Sequence, residues 1–352
     1  MTSIRLAVLR CAKLLGLFAA ARLLTARRLR ILCYHGVAIV DEHLFRPGLF
    51  MRAETFTRRL RHIAEMEYPV LPLAEAVERL QRGTLPRCAT VITIDDGWYG
   101  TYSVMGPALE SFGFPATLYV SSYYLDKGTQ VFNVALGYIL WKTSSPSLDL
   151  TGIAPQLAGR YEITIPAQRQ RAERTIRAYA DALPTAAERQ ALLRSLCDRL
   201  NIDWREIEEK RMFAFMSRDE AAELLEARID LQLHTHRHRF PAADPEALRK
   251  EIEDNRRSLG AVTAEPLTHL CYPSGEYERD SFPLLESLGI RTATTTVRGL
   301  NTAETPPFEL RRLLDSDATP DIIFEAEMSG FLELCRLAFG GAARARSRAT
   351  RT

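Results

Sequence analysis

The feature that most constrains this chain is an alternation. Six short apolar runs are separated by stretches of helical periodicity: Leu29–Tyr34, Ala89–Ile94, Ala116–Ser121, Ile229–Leu233, Leu267–Tyr272 and Arg291–Thr295. The helical stretches cover 54–66, 73–82, 103–112, 217–227, 245–259 and 280–288. The apolar runs are short, rich in β-branched residues, and bounded by turn residues, so they read as strands. Strand and helix in turn, with crossover-length chain between strands, predict an α/β fold around a parallel, barrel-like sheet. Ser217-x-x-Glu220 ahead of Ala-Ala-Glu-Leu-Leu is a capping box and marks one helix start.

Residues 127–216 break the rhythm. They hold two charged helical stretches, Gln168–Leu183 and Thr185–Leu200, which read as a helical insertion between two strands, placed to cap a site. The chain thus divides into a basic N-terminal helix (1–28), a barrel with its insertion (29–316), and a tail (317–352). The tail is read as one apolar helix, Ile322–Phe339, followed by an Arg-rich stretch. With 352 residues, 46% hydrophobic and 26% charged, a sizeable core is expected and a disordered chain is excluded. No apolar run approaches the ~18 residues that span a bilayer.

Charge is uneven. Residues 1–40 carry seven basic side chains (Arg5, Arg10, Lys13, Arg22, Arg27, Arg28, Arg30) and no acid. Residues 336–352 carry five arginines and no acid, so the body between the ends is net acidic. An acidic body excludes a broad nucleic-acid face. Basic ends suggest peripheral contact with an anionic membrane surface; solvated tails are the plainer reading. The run Leu14–Ala21 after Arg5, Arg10 and Lys13 fits an interfacial helix, a helix packed on the body, or a short secretion signal. Its apolar and basic residues do not separate cleanly around a helical wheel. The six cysteines are scattered without C-x-x-C pairs and read as small buried hydrophobes in a reducing compartment, with one or more disulfides as the alternative. The expected location is cytoplasmic, peripheral at the inner membrane face; export is the alternative.

Reactive groups in parallel α/β sheets gather at the carboxyl ends of strands. Here His35 follows the first run, Asp95 and Asp96 end the second, His234-Thr235-His236-Arg237-His238 follows the fourth, and Pro273-Ser274-Gly275 follows the fifth. Adjacent carboxylates at a strand end point apart, and a turn at Gly97 re-aims them, so one can bind a metal while the other stays free as a base. Asp-Asp-Gly is also a common polar turn. His234 and His238 can share one ion if their segment is a helix or tight loop; a solvated loop is the alternative, and His236 falls off their face. Two imidazoles and a carboxylate with open positions suit one catalytic divalent metal, Zn²⁺ first, with Co²⁺ or Ni²⁺ possible.

Thr93-Ile94-Asp95-Asp96-Gly97 resembles the T-F-D-D-G motif of the polysaccharide deacetylases, the NodB-homology family of carbohydrate esterases. His234-Thr235-x-x-His238 resembles their H-[S/T]-x-x-H motif, and the resemblance covers roughly residues 29–316. It implies a distorted (β/α) barrel and hydrolysis of an N-acetyl or other acyl group from a sugar. It implies Asp95 as general base, Asp96, His234 and His238 as metal ligands, and Thr235 as a brace for the histidine loop. The implied substrate is an acylated glycan or a polyprenyl-linked sugar.

The departures are specific. The family's R-x-P-[Y/F] motif is replaced by Leu270-Cys271-Tyr272-Pro273-Ser274-Gly275, with no Arg. That stretch makes the Ser274 N–H the oxyanion candidate and brings Tyr272 to the substrate side. No His follows His269, but Tyr34-His35-Gly36 resembles the opening element of the family's circularly permuted branch. There His35 would protonate the leaving amine; a buried strand-end His bonded to backbone is the alternative. Arg312 is the candidate to replace the missing Arg beside Asp95, with a surface Arg as the plainer reading. Two rivals stay open: a non-catalytic glycan-binding protein on the same fold, and a metal-dependent hydrolase of another bond such as a phosphoester.

Overall fold

A computed structural model describes residues 3–125, 127–154 and 156–339. Seven strands form a closed, all-parallel barrel: β1 (Arg30–Tyr34), β2 (Thr90–Asp96), β3 (Ala116–Val120), β4 (Ile229–Leu233), β5 (His269–Cys271), β6 (Thr292–Arg298) and β7 (Leu310–Leu314). They follow one another around the barrel in chain order. Closure comes from β1, which pairs with β2 from Arg30↔Thr90 to Tyr34↔Ile94 and with β7 at Leu32↔Leu313. The principal helices are α1 (Ser3–Leu14), α2 (Leu17–Leu24), α3 (Ala53–Glu65), α4 (Leu73–Gln81), α5 (Gly106–Phe112), α6 (Phe132–Lys142), α7 (Pro166–Asp181), α8 (Ala186–Leu200), α9 (Arg218–Glu226), α10 (Pro245–Leu259), α11 (Phe282–Ser287) and α12 (Asp321–Met328). The distorted (β/α) barrel expected from the sequence is the fold observed.

The period-2 alternation of the strands sorts two environments. Leu32, Tyr34, Ile92, Ile94, Leu118 and Val120 join the cluster shared with the surrounding helices. The alternate residues face inward, and near the carboxyl ends they are polar: Cys33, Thr93, Asp95, His234, Cys271 and Arg312, all buried. Toward the amino ends the interior turns apolar. Leu29, Ile31, Val91 and Leu310 pack there against Leu73, Ala76, Val77 and Leu80 of α4. Helix α4 therefore stoppers one end, and the other is left as a polar mouth.

Four expectations need correction. The seventh strand, β7, was not expected, because the adjacent Arg311 and Arg312 interrupt its apolar run. The N-terminal helix is two helices, broken by Gly16 in the left-handed region (φ 76°). The tail helix is also two: α12 ends at Met328, and helix resumes over 331–339. At Gly330 between them (φ +80°), a Cβ would lie 2.3 Å from Thr25 Oγ1, so no other residue fits. The insertion is not purely helical. Ser147–Asp149 and Arg160–Glu162 pair antiparallel beside α6, α7 and α8. It has its own core, including Leu136, Ile139, Ile176 and Leu196, and it meets the barrel where its Phe215 packs on Trp98, which in turn packs on Phe50. Arg344, Arg346, Arg348 and Arg351 of the Arg-rich stretch lie outside the described residues.

Candidate active site

Strand β2 runs straight through Asp95, whose inward carboxylate is buried at 2% exposure. The re-aiming expected at Gly97 begins one residue earlier. Asp96 itself is left-handed (φ 80°), costly for a residue with a Cβ, and Gly97 follows at φ 107°. The turn sends the two carboxylates different ways. Asp96 Oδ2 accepts a 2.8 Å hydrogen bond from Trp98 Nε1, and Oδ1 faces the histidines.

His234 and His238 stand on a loop after β4, not on a helix. Thr235 (φ 60°) and His238 (φ 56°) give the loop two left-handed bends. It is held from several sides. Asn255 of α10 accepts from His234 N–H at 3.0 Å and donates to the Val120 carbonyl and Ser122 Oγ. Ser121 Oγ donates to the His234 carbonyl at 3.0 Å. Thr235 Oγ1 accepts from Arg239 N–H at 3.0 Å, the bracing expected of it. His236 turns away to Ser122 Oγ, 2.9 Å from its Nδ1.

This architecture brings His234 Nε2 to 3.3 Å and His238 Nε2 to 3.4 Å from the same oxygen, Asp96 Oδ1. One ligand atom from each of the three residues lies within 4.8 Å of the others. The donor set fits a divalent cation of the zinc type. The second nitrogen of His234, Nδ1, lies 2.8 Å from the Cys271 carbonyl and donates to it, which fixes the ring with Nε2 turned toward Asp96. His238 is 38% exposed at its side chain, so the group opens to solvent on that side.

Asp95 has a different neighbour. Arg312, 1% exposed, grips it bidentately: one terminal nitrogen 2.7 Å from Oδ1, the other 2.9 Å from Oδ2. Its remaining contacts go to the Thr295 carbonyl, Thr93 Oγ1 and Cys271 Sγ. Burial alone would raise the Asp95 pKa, but the Arg312 charge, aided by His35, outweighs it and holds the carboxyl down at about 2. Asp96 is likewise buried, and hydrogen bonds from His234 and His238 overcome the desolvation and hold it well below the usual range. Both carboxylates are ionised at neutral pH. His35 Nε2 stands 3.7 Å from Asp95 Oδ2 with its side chain 28% exposed, between the buried carboxylate and solvent. The buried strand-end alternative for His35 therefore does not hold, nor does a surface position for Arg312.

Two predicted residues are placed differently from the rest. Tyr272 is 1% exposed, stacks on Tyr277 at 4.8 Å, and donates its hydroxyl to the Phe308 carbonyl at 3.1 Å. Its side chain thus supports the mouth from the outer core, which corrects its assignment to the substrate. Ser274 is exposed on the loop after β5 with a left-handed backbone (φ 58°).

Sequence reasoning missed the thiols. Cys271 Sγ lies 3.5 Å and Cys33 Sγ 3.7 Å from Asp95 Oδ2. Burial pushes the Cys33 thiol well up, so it stays a protonated donor. All six cysteines are free, yet Cys11 is exposed and Cys335 half-buried, so the reading of uniformly buried thiols fails for two. Trp98 and Asn255 were also missed. The signal for Trp98 was its place two residues past Asp96, where an indole N–H can reach back to the carboxylate.

Residues 200–293 match the family profile described as polysaccharide deacetylase. Among solved structures the chain is similar to a Streptococcus pyogenes deacetylase, PplD, described in complex with acetate. The identity is 16% and the TM-score 0.57, covering 86% of this chain and 98% of that one. It is similar to IcaB from Ammonifex degensii at 14% identity and TM-score 0.52, covering 86% and 97%. It is also similar to a de-N-acetylase from Aggregatibacter actinomycetemcomitans at 14% identity and TM-score 0.53, covering 85% and 99%. No curated protein sequence matches the chain.

Proposed function

We propose that the chain is a polysaccharide deacetylase, on the match of residues 200–293 to that family's profile, and that it hydrolyses an acyl group, N-acetyl first, from a sugar of an acylated glycan. The glycan is either free or carried on a polyprenyl lipid. The observation that carries the reading is the convergence at one mouth of two separate sets: Asp96 with His234 and His238, and Asp95 with Arg312 and His35.

Asp96, His234 and His238 would hold the divalent cation, Zn²⁺ first. When bound, such a cation polarises the acyl carbonyl and acidifies water. The chain's own residues do the rest. Asp95 is the base that accepts the proton of the attacking water. Arg312 fixes the plane of that carboxylate and keeps it ionised. His35, the partly exposed group beside Asp95, gives a proton to the leaving amine nitrogen. The Ser274 N–H is assigned to the oxyanion. Trp98 and the Cys271 carbonyl orient Asp96 and His234.

The same reading places the enzyme at the cytoplasmic membrane face. Its support is the run of basic residues without acids over 1–40 and six unpaired cysteines. No described helix is long and apolar enough to cross a membrane.

The test is acetate release from N-acetylated sugar oligomers by the purified full chain. The protein is stripped of metal, then given Zn²⁺ or Co²⁺, with Asp95→Asn alongside. Metal-restored release that Asp95→Asn loses is the expected result. A chain that binds one metal and the oligomer with no turnover of any acylated sugar would instead be a glycan-binding protein.

A further inference from the structure

The N-terminal helices have an exposed surface that the catalytic reading leaves unused. Leu9 and Ala12 of α1 and Phe18 of α2 pack on Ile323 and Ala326 of α12, and Lys13 pairs with Glu325. That contact fixes the hairpin on the body. Its other face is apolar and open. On α1, Ile4 is 75% and Val8 58% exposed, one helical turn apart. At the turn, Leu14 is 87% and Leu15 76% exposed, where a solvated turn would carry polar residues. Along α2, Leu17, Ala20 and Leu24 form an exposed stripe at i, i+3, i+7, joined by Leu23 at 66%. A Gly16 in the left-handed region, with nothing within 4 Å of a Cβ built there, lets the turn project into free space.

Charge identifies what would cover this face. Arg5, Arg10 and Arg27 are exposed and form no ion pair among the described residues. No acid occurs between residues 1 and 40. An open groove of about 870 Å³ runs beside the hairpin, lined by Phe18 and Leu23 with Lys13 and Arg22 of the hairpin, and by Arg87, Glu65, Glu67 and Glu325 of the body. Leucines that project outward from a hairpin whose own charged residues are all basic match the headgroup region of an anionic bilayer, where carbon enters the acyl boundary and cations stay with phosphate. A second copy of this chain would instead bring like charges together.

The geometry points to the hairpin α1–α2 as an interfacial anchor that docks on an anionic lipid surface, with Leu14, Leu15 and Leu17 as the inserting turn. The hairpin also sets an orientation. Helix α2 feeds the amino end of β1, the Ala26 carbonyl accepts from Cys88 N–H just ahead of β2, and Arg22 reaches the Met66 carbonyl at the carboxyl end of α3. The anchor therefore sits at the stoppered end of the barrel, away from the Asp95–His234 mouth.

The experiment is co-sedimentation of the full chain with vesicles of phosphatidylcholine alone and of phosphatidylcholine with phosphatidylglycerol. Three chains are compared: wild type, Leu14→Ser/Leu15→Ser/Leu17→Ser, and Arg5→Ser/Arg10→Ser/Arg27→Ser. The expected result is binding to the anionic vesicles only, weakened by salt, and reduced at least about tenfold in the leucine variant. The arginine variant loses the preference for phosphatidylglycerol. All substituted side chains are exposed, so melting temperature and soluble-oligomer deacetylation stay at the wild-type level, which separates this test from that of the catalytic reading. Equal sedimentation of wild type and the leucine variant overturns the proposal. So does a wild type that ignores both vesicles, or one that self-associates in solution through the same leucines.

Discussion

The two ends of the barrel are built from the same seven strands and do opposite things. At the carboxyl ends the interior carries Asp95, Arg312, His234 and two thiols, all buried and mutually hydrogen-bonded. At the amino ends the interior is Leu29, Ile31, Val91 and Leu310 under the apolar face of α4. The contrast shows where stability and reactivity reside. The apolar end gains from burial that needs no partner geometry. The polar end is stable only while every charge keeps its counterpart, because an unpaired buried ion costs more than the pair returns.

The largest break in that contrast is Arg312→Leu. It leaves Asp95 buried and unpaired, so unfolding free energy should fall by about 3–5 kcal/mol. Deacetylation should fall about 10²–10⁴-fold as the base loses its orientation. Chemical denaturation and initial rates measure both. Adding Asp95→Asn to Arg312→Leu should return part of the stability and none of the activity; full independence of the two substitutions would show that they do not act as a pair.

Next is Asp96→Asn. The amide oxygen can still accept from Trp98, so the melting temperature should hold while metal affinity falls more than ~100-fold. Metal content by elemental analysis after dialysis decides it, and retained metal would move the ligand group elsewhere.

The stoppered end should respond to pH through stability alone. His269, buried at the start of β5, is pushed down to about 4 by burial and by the nearby Arg291 charge. A lowered imidazole favours the neutral folded form. Its contribution is full above pH 6.5 and lost as pH falls toward 4, worth about 2–3 kcal/mol. His269→Gln should flatten the loss of stability between pH 6.5 and 4 in denaturation midpoints. The smallest effect is at Asp230, which burial raises to about 6 against the opposing hydrogen bond from Gln232. The sign is reversed: stability from this group is present at low pH and lost as pH rises through 6. Asp230→Asn should therefore gain about 1–2 kcal/mol at pH 8 and little at pH 4. A gain that is the same at both pH values would assign the effect to packing instead.

Legibility in the sequence followed the same divide. Six strands were readable because β-branched runs and turn residues bound them, and the site was readable because Asp95, Asp96, His234 and His238 stand at their carboxyl ends. Strand β7 was hidden because its inward Arg312 looks like a surface residue until a partner is seen. Cys33 and Cys271 were hidden for a related reason. A thiol in an apolar run reads as core, and only the closure of β1 against β2 and of β5 within the barrel puts both beside one carboxylate oxygen. The helical wheel over 1–28 failed because it treated as one helix what Gly16 divides, so two buried stripes, Leu9/Ala12 and Phe18/Ala21, were averaged into none.

The stopper formed by α4 makes the barrel a one-ended vessel, and that turns its height into a ruler. Strands of three to seven residues span about 10–25 Å. If the leucine turn rests on a bilayer, the reacting carbonyl meets Asp95 at roughly that distance from the headgroups. A lone sugar attached at the lipid phosphate is then out of reach. On that footing the acyl group offered to this mouth would belong to a chain long enough to rise from the surface and bend over the rim.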